Sequence, residues 1–193
     1  MRKNEDRRRA LVDAAVDVLA TEGARGLTFR AVDTAAGVPA GTASNYFPSR
    51  DELLSQVGAH IHVRLAPDPT VVARTLAAPR DRAAVARFMH DILDRVTADR
   101  AGYLALLELR LEATRRPDLH RTFTATMRAQ LDDSVAFHVD SGLPGDRRTV
   151  ELLYIAMTGL IVESLTLPEI LGDTRALIDD LVDQVVPLVA GPR

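Results

Sequence analysis

Few residues of this chain have both the type and the spacing to do chemistry. Cysteine is absent, which removes disulfides, thiolate nucleophiles and cysteine metal sites together. Among the 5 histidines, His60 and His62 stand two apart on a helical stretch and therefore on different faces. His90 and Asp94 form an i, i+4 pair, and two ligands rarely make a metal site. No nucleophile motif, glycine-rich phosphate loop or paired acid–base constellation occurs. The expectation is a protein without catalytic residues, metal or cofactor. What remains is a polar cluster, Ser44 and Asn45 beside Ala40 and Gly41, inside segment 27–47, LTFRAVDTAAGVPAGTASNYF. Helical spacing puts these four on one face and Val38, Ala43 and Phe47 on the other. Small residues beside a Ser and an Asn, over an apolar underside, suit a helix lying in a DNA major groove.

The elements around this cluster must hold it in place. Thr28 is fit to cap a first helix by accepting from an otherwise unpaired N–H. Gly37, after Ala35 and Ala36, marks its stop in left-handed geometry. A second helix is expected over about 39–47. Upstream, Leu11, Ala14, Ala15, Val18 and Leu19 recur at helical spacing in a helix that should end at Gly23. Arg2, Lys3, Arg7, Arg8 and Arg9 lead into it. Such an arm is either a solvated tail or, placed before a helix-turn-helix, a phosphate contact. Downstream, Ser49 with Glu52 reads as a capping box. It opens a helix carrying Leu54, Val57, Ile61 and Leu65, with Arg50 in its first turn and within reach of a phosphate.

Charge is divided unevenly. Residues 1–50 hold 8 Lys/Arg against 6 Asp/Glu, a balance of +2, so the remainder carries −5 of the total −3. A basic end on an acidic body points to a polyanion met by the first part only. The N-terminal MRKNEDRRRA is charged and lacks an apolar stretch, so it is not a signal peptide. The apolar run 152–162 is too short to span a bilayer, and the expected location is cytoplasmic, with no membrane partner.

Period-two alternation is missing, and helical periodicity recurs to the end of the chain. The segment 67–79 reads as a linker with a weak turn of helix. Helices follow around Val85–Val96 and Tyr103–Leu111, and from Pro117 along Leu119, Phe123, Met127, Leu131 and Val135. Two further helices, at about 146–167 and 173–190, carry more apolar surface than one layer covers. Pro187 should kink or shorten the last one. Gly159, three residues after Ala156, would permit close helix approach, which favours a symmetric four-helix dimer interface. The fold class is all-α, with about nine helices: an N-terminal helix-turn-helix head and a helical dimerisation body. The division is 1–48 for DNA binding, with the helix-turn-helix at about 28–47, and 49–193 for the body.

Residues 8–57 resemble the N-terminal domain of TetR/AcrR-type transcriptional regulators. The matching residues run from Leu11 to Leu19, then Gly23, Leu27-Thr28-Phe29-Arg30, Val32, Ala36-Gly37-Val38, Gly41-Thr42, Tyr46-Phe47-Pro48, Arg50 and Leu53-Leu54. The resemblance implies a homodimer on a palindromic double-stranded DNA operator, released by a small-molecule ligand bound in 49–193, the ligand-binding and dimerisation domain, with repression the default and activation the minority outcome. It implies phosphate contacts from Thr28, Arg30, Thr42, Tyr46 and Arg50, with Tyr46 alternatively a packing residue. It implies that Pro39, Ala40, Gly41, Ser44 and Asn45 face the bases, where the Asn45 amide can pair bidentately with adenine. Three residues depart from the family pattern. Pro39 stands where a capping Ser or Thr is common, Ser44 replaces a frequent aromatic, and Asp33 replaces a small Ala. Asp33 is either turned outward or paired to a nearby Arg. A ligand pocket implied by the family would draw on Phe88, Met89, Ile92, Tyr103, Leu107, Phe123, Met127, Tyr154, Met157 and Ile161, each alternatively ordinary core. Arg110, Glu108 or Glu112 would orient a polar group. The rival class is a helical small-molecule-binding protein or enzyme without a local catalytic signature.

Overall fold

The computed structural model describes residues 2–188, with side chains from Asn4 onward. Among these residues the chain forms ten α-helices and one 3-10 turn, and no strand. They are α1 (Arg2–Gly26), α2 (Phe29–Ala35), α3 (Thr42–Tyr46), α4 (Arg50–Arg64), α5 (Pro69–Ala77), α6 (Arg82–Ala98), α7 (Arg100–Ala113), α8 (Pro117–Asp140), α9 (Arg147–Thr166) and α10 (Thr174–Val185), with the 3-10 turn at Pro168–Ile170. The all-α expectation holds. The additional helix is α5, at the segment read as a linker. There Asp68 accepts from the Thr70 N–H at 2.7 Å and Pro69 supplies a first-turn proline, so this proline starts a helix.

By packing, the chain divides into two units. The first holds residues 1–66 and 99–126; the second holds 67–98 and 127–193. In the first unit, α7 lies along α1 and α4, and α2 joins α1 to α3. Its core is Leu11, Ala15, Val16, Leu19, Leu27, Val32, Leu53, Leu54, Val57, Ile61 and Leu109, all essentially without solvent contact. α1 does break at Gly23, as expected, with φ 69 there, but the chain resumes helical form to Gly26. The basic arm is not a separate tail, because α1 already begins at Arg2. The side chains of Arg2 and Lys3 lie outside the described residues.

The second unit packs α6, α9 and α10 around Ala84, Val85, Leu143, Leu153, Val182 and Val186, with Phe88, Met89, Leu181 and Val185 against them. Phe88 meets Phe137 edge-on, centroids 5.5 Å apart. Capping sets the helix ends. The Asp146 side chain accepts from the Thr149 N–H at 3.0 Å to start α9. α10 stops at Val185 because Pro187 holds Val186 in extended geometry, φ −90 and ψ 125. The expected continuation through Val189 and Ala190 falls outside the described residues. α9 is long and apolar, as a helix that packs against others along much of its length must be. Its uncovered apolar residues are Leu152, Tyr154 and Ile155, and Leu177 of α10 is uncovered too.

Candidate nucleic-acid interface

The expected helix-turn-helix is formed by α2 and α3 within the first unit. Thr28 is extended, φ −122 and ψ 156, and its Oγ1 accepts from the Ala31 N–H at 3.1 Å. α2 ends through Gly37 at φ 62. The Gly37 N–H donates to Thr34 O at 3.1 Å and the Val38 N–H to Asp33 O at 3.0 Å, the paired bonds of a left-handed helix stop. The second helix is shorter than expected. It starts at Thr42 and not near Pro39, because Gly41 adopts φ 89 and interrupts helical geometry.

Ala43 and Phe47 are fully buried under α3. Ala40, Gly41, Ser44 and Asn45 are exposed, as are Thr28 and Arg30, while Thr42 and Tyr46 are half-buried. The hydroxyls of Thr42 and Ser44 turn inward, donating to Pro39 O at 2.5 Å and to Gly41 O at 2.9 Å. Asn45 is thus the exposed polar side chain of α3 whose amide is not used to hold the helix together. Beside α2 runs a shallow open concavity whose rim includes Glu22, Thr28, Arg30 and Thr34.

Asp33 is neither turned outward nor paired to an arginine. It is 2% exposed. One carboxylate oxygen accepts from the Gly41 N–H and the other from the Ala43 N–H, both at 2.7 Å. An acidic residue eight positions before the N-cap of a helix gives no local capping pattern, so sequence spacing alone could not have revealed this role.

Two arginines read as phosphate ligands or part of a basic arm are engaged internally. Arg50 donates through Nε to Leu27 O at 3.1 Å, through Nη1 to Glu112 Oε1 at 3.1 Å, and through Nη2 to Ala24 O. Arg8 lies over the rings of Tyr46 and Phe47, 5.8 and 5.2 Å from their centroids. It also donates to Tyr46 O at 3.0 Å and to Gln56 at 2.9 Å. The carboxylates read as pocket groups serve the same frame. Glu108 accepts from the Ala24 N–H at 3.0 Å, beside the Gly23 break. Glu112 is 9% exposed and also accepts from Arg116 Nε at 2.6 Å. The Arg116 hydrogen bond, then that of Arg50, holds the Glu112 carboxyl below the usual carboxylate range, against the opposing effect of burial. Arg116 further pairs with Asp51 in the first turn of α4.

The ligand candidates fall in both units. Tyr103 is buried, and Leu107 and Phe123 are half-buried, in the first. In the second, Phe88 and Met89 abut the core, Ile92 and Met127 are half-buried, and Met157 and Ile161 are each 3% exposed. Tyr154 instead lies at the uncovered side of α9, 38% exposed. His90 and Asp94 do not act as a pair: His90 meets Asp179 at 2.8 Å and Asp94 meets Arg175 at 2.7 Å, both on α10.

Comparison with known proteins places this frame. Residues 11–57 match the model of the tetR family of bacterial regulatory proteins. Residues 80–188 match the tetracyclin repressor-like C-terminal domain. A curated relative, the HTH-type transcriptional regulator BetI of Rhizobium meliloti, is 34% identical over 76 residues. That alignment takes in 39% of this chain and 37% of the relative, so the chain matches little more than a third of its length. Among solved structures, a TetR-family member from Streptomyces coelicolor superposes with TM-score 0.71 at 24% identity, covering 94% of this chain and 99% of that one. The multidrug binding protein EbrR, solved with imidazole, superposes with TM-score 0.67 at 23% identity, covering 96% and 97%. The fatty acid degradation regulator FadR of Bacillus halodurans gives 0.71 at 17%, covering 93% and 94%. At these identities the superpositions speak for the fold, and the two domain matches, one spanning more than half of the chain, speak for descent. The chain belongs to the TetR family of bacterial regulatory proteins, as a transcriptional regulator and not an enzyme.

Proposed function

We propose that this regulator is a homodimeric repressor that binds a palindromic operator and is released by a small-molecule inducer. The observation that carries the reading is α3 with the turn that leads into it: exposed Ala40, Gly41, Ser44 and Asn45 above buried Ala43 and Phe47. A helix so mounted offers backbone and a free amide to base edges. Thr28, Arg30, Thr42 and Tyr46 flank it as phosphate contacts, and Arg50 serves the frame beneath. Two heads in a dimer would address half-sites about 34–36 Å apart.

Dimerisation runs through α9 and α10. Leu152 and Ile155 on α9 are 37% and 63% exposed, and Leu177 on α10 is 38% exposed. A side chain at Gly159 would meet nothing within 4 Å, which leaves room for a second helix to approach. The structural neighbour EbrR was solved with imidazole and with ethidium, which supports a small-molecule ligand for this helical body too. That ligand acts through its difference in affinity between the operator-bound and released dimers. The working location of such a regulator is the cytoplasm.

The test is a mobility shift of the purified protein on its own promoter DNA against random DNA across a salt series. Preferential, salt-dependent retardation of the promoter is expected. Equal affinity for both DNAs would refute the repressor reading.

A further inference from the structure

We propose that Asp33 is the positioning residue of the recognition helix: its buried carboxylate binds the backbone N–H groups at the start of α3 and so sets which way Ser44 and Asn45 face. The proposal rests on reading α3 as the DNA-reading helix and deepens that reading. α3 has five residues, too few to hold helical form unaided. Its N-cap, Gly41, offers no side chain, and none caps it locally. The hydroxyls of Thr42 and Ser44 are donors to carbonyls and do not accept from the first-turn amides.

That task falls to a residue on the other helix. The Gly41 and Ala43 N–H groups both donate to Asp33 at 2.7 Å, the short separation of bonds to an ionised acceptor. The same residue's carbonyl accepts from the Val38 N–H at 3.0 Å. Three amides of the turn and recognition helix therefore converge on one residue that is 2% exposed. α2 and α3 are joined by a fixed contact, and α3 is arranged before DNA arrives.

A second consequence concerns the phosphates. Free amides at a helix start are ready anion ligands, but here a carboxylate already occupies two of them. These amides contribute nothing to phosphate binding, and the negative charge beneath α3 weakens non-specific attraction. Asp33 thus trades sequence-independent affinity for orientation.

The experiment uses the full chain, wild type and Asp33→Asn. The variant preserves shape and one acceptor but turns an NH2 toward the second amide. The probes are a duplex enriched by the wild-type protein from a randomised pool and a random duplex of equal length. For Asp33→Asn the enriched duplex should bind at least ten-fold more weakly, with the random duplex bound as tightly as by wild type or slightly tighter. In DNA-free protein, amide exchange at Gly41 and Ala43 should accelerate at least ten-fold, with Leu19 and Val57, in the core of the same unit, unchanged as the control for folding. Asp33→Ser, smaller and with one hydroxyl acceptor, should show the same pattern if Asp33→Asn does not fold. Wild-type exchange rates at Gly41 and Ala43 would overturn the proposal whatever the DNA result. So would faster exchange with an unchanged ratio of enriched to random binding. If the wild-type protein enriches no duplex, the DNA-reading assignment of α3 falls and the proposal with it.

Discussion

Arg50→Ala probes the frame beneath the head most directly. The guanidinium donates to Leu27 O and Ala24 O, the carbonyls that end α1 and lead into α2, and to Glu112 on α7. Its side chain is 30% exposed and that of Glu112 is 11%, so water can partly replace the lost bonds. Glu112 also keeps Arg116 at 2.6 Å, and no carboxylate is left orphaned. A hydrogen bond to a charged group is worth about 1.5–3 kcal/mol, and partial rehydration trims the three together to a net loss of about 2–3 kcal/mol. Urea unfolding of wild type, Arg50→Ala and Arg50→Lys reads this directly. Lys, a single point charge without the planar fork, should recover less than half of the loss. DNA binding supplies the second readout, because a phosphate ligand lost from the interface flattens the salt slope by about one unit. With the guanidinium engaged internally, the slope should stay unchanged. Stability within about 0.5 kcal/mol of wild type, the range of an ordinary surface substitution, together with a flattened slope, would refute the reasoning and return Arg50 to the phosphates.

Asn45→Ala should cost roughly 1–3 kcal/mol on an operator and little on random DNA in anisotropy titrations; equal losses on both would remove Asn45 from base reading. Ile155→Glu should raise the dimer dissociation constant at least ten-fold by sedimentation, since it puts a charge on the uncovered α9 face, and Gly159→Leu should act in the same direction; an unaffected dimer would move the interface elsewhere. Glu112 has a depressed carboxyl pKa in the folded protein, so its stabilising contribution is complete above the unfolded value of about 4.3 and is lost as pH falls through the lower folded value. The stability difference between wild type and Glu112→Gln should therefore shrink as urea unfolding is followed from neutral pH into this acid range, and a constant difference would exclude the linkage.

What could be read from the sequence was what depends on neighbours in the chain. Thr28 and Ser49 cap the helices they were expected to cap, and Gly37 takes the left-handed stop that its position demanded. Apolar spacing located α4, α6, α8 and α9 because each buries a stripe. α5 lies in the segment that reads as a linker, because prolines end helices as well as start them, and Asp68-Pro69 before an apolar stretch is a start signal. Asp33, Arg8 and Arg50 could not be read, for a different reason. Their partners lie on other helices: Gly41 and Ala43, the Tyr46 carbonyl, and Glu112. A charged side chain carries no sign of whether it will meet solvent, DNA or a backbone amide across a tertiary contact. Charge counting therefore overstated the cations free to meet a polyanion, as Arg8 and Arg50 are largely spoken for within the protein.

The clamp between α2 and α3 also limits how this regulator can be re-engineered. A foreign 39–47 segment grafted alone would lie over a carboxylate shaped for Gly41 and Ala43. A bulkier residue at position 43, which is fully buried, would have to share its space with that carboxylate. The smallest exchangeable cassette is therefore 28–47, with residue 33 travelling alongside the helix it holds. Within that cassette, positions 40, 44 and 45 are exposed and outside the Asp33 contacts. On the reading of α3 as the DNA-reading helix, operator preference can drift there by single substitutions while the scaffold stays constant.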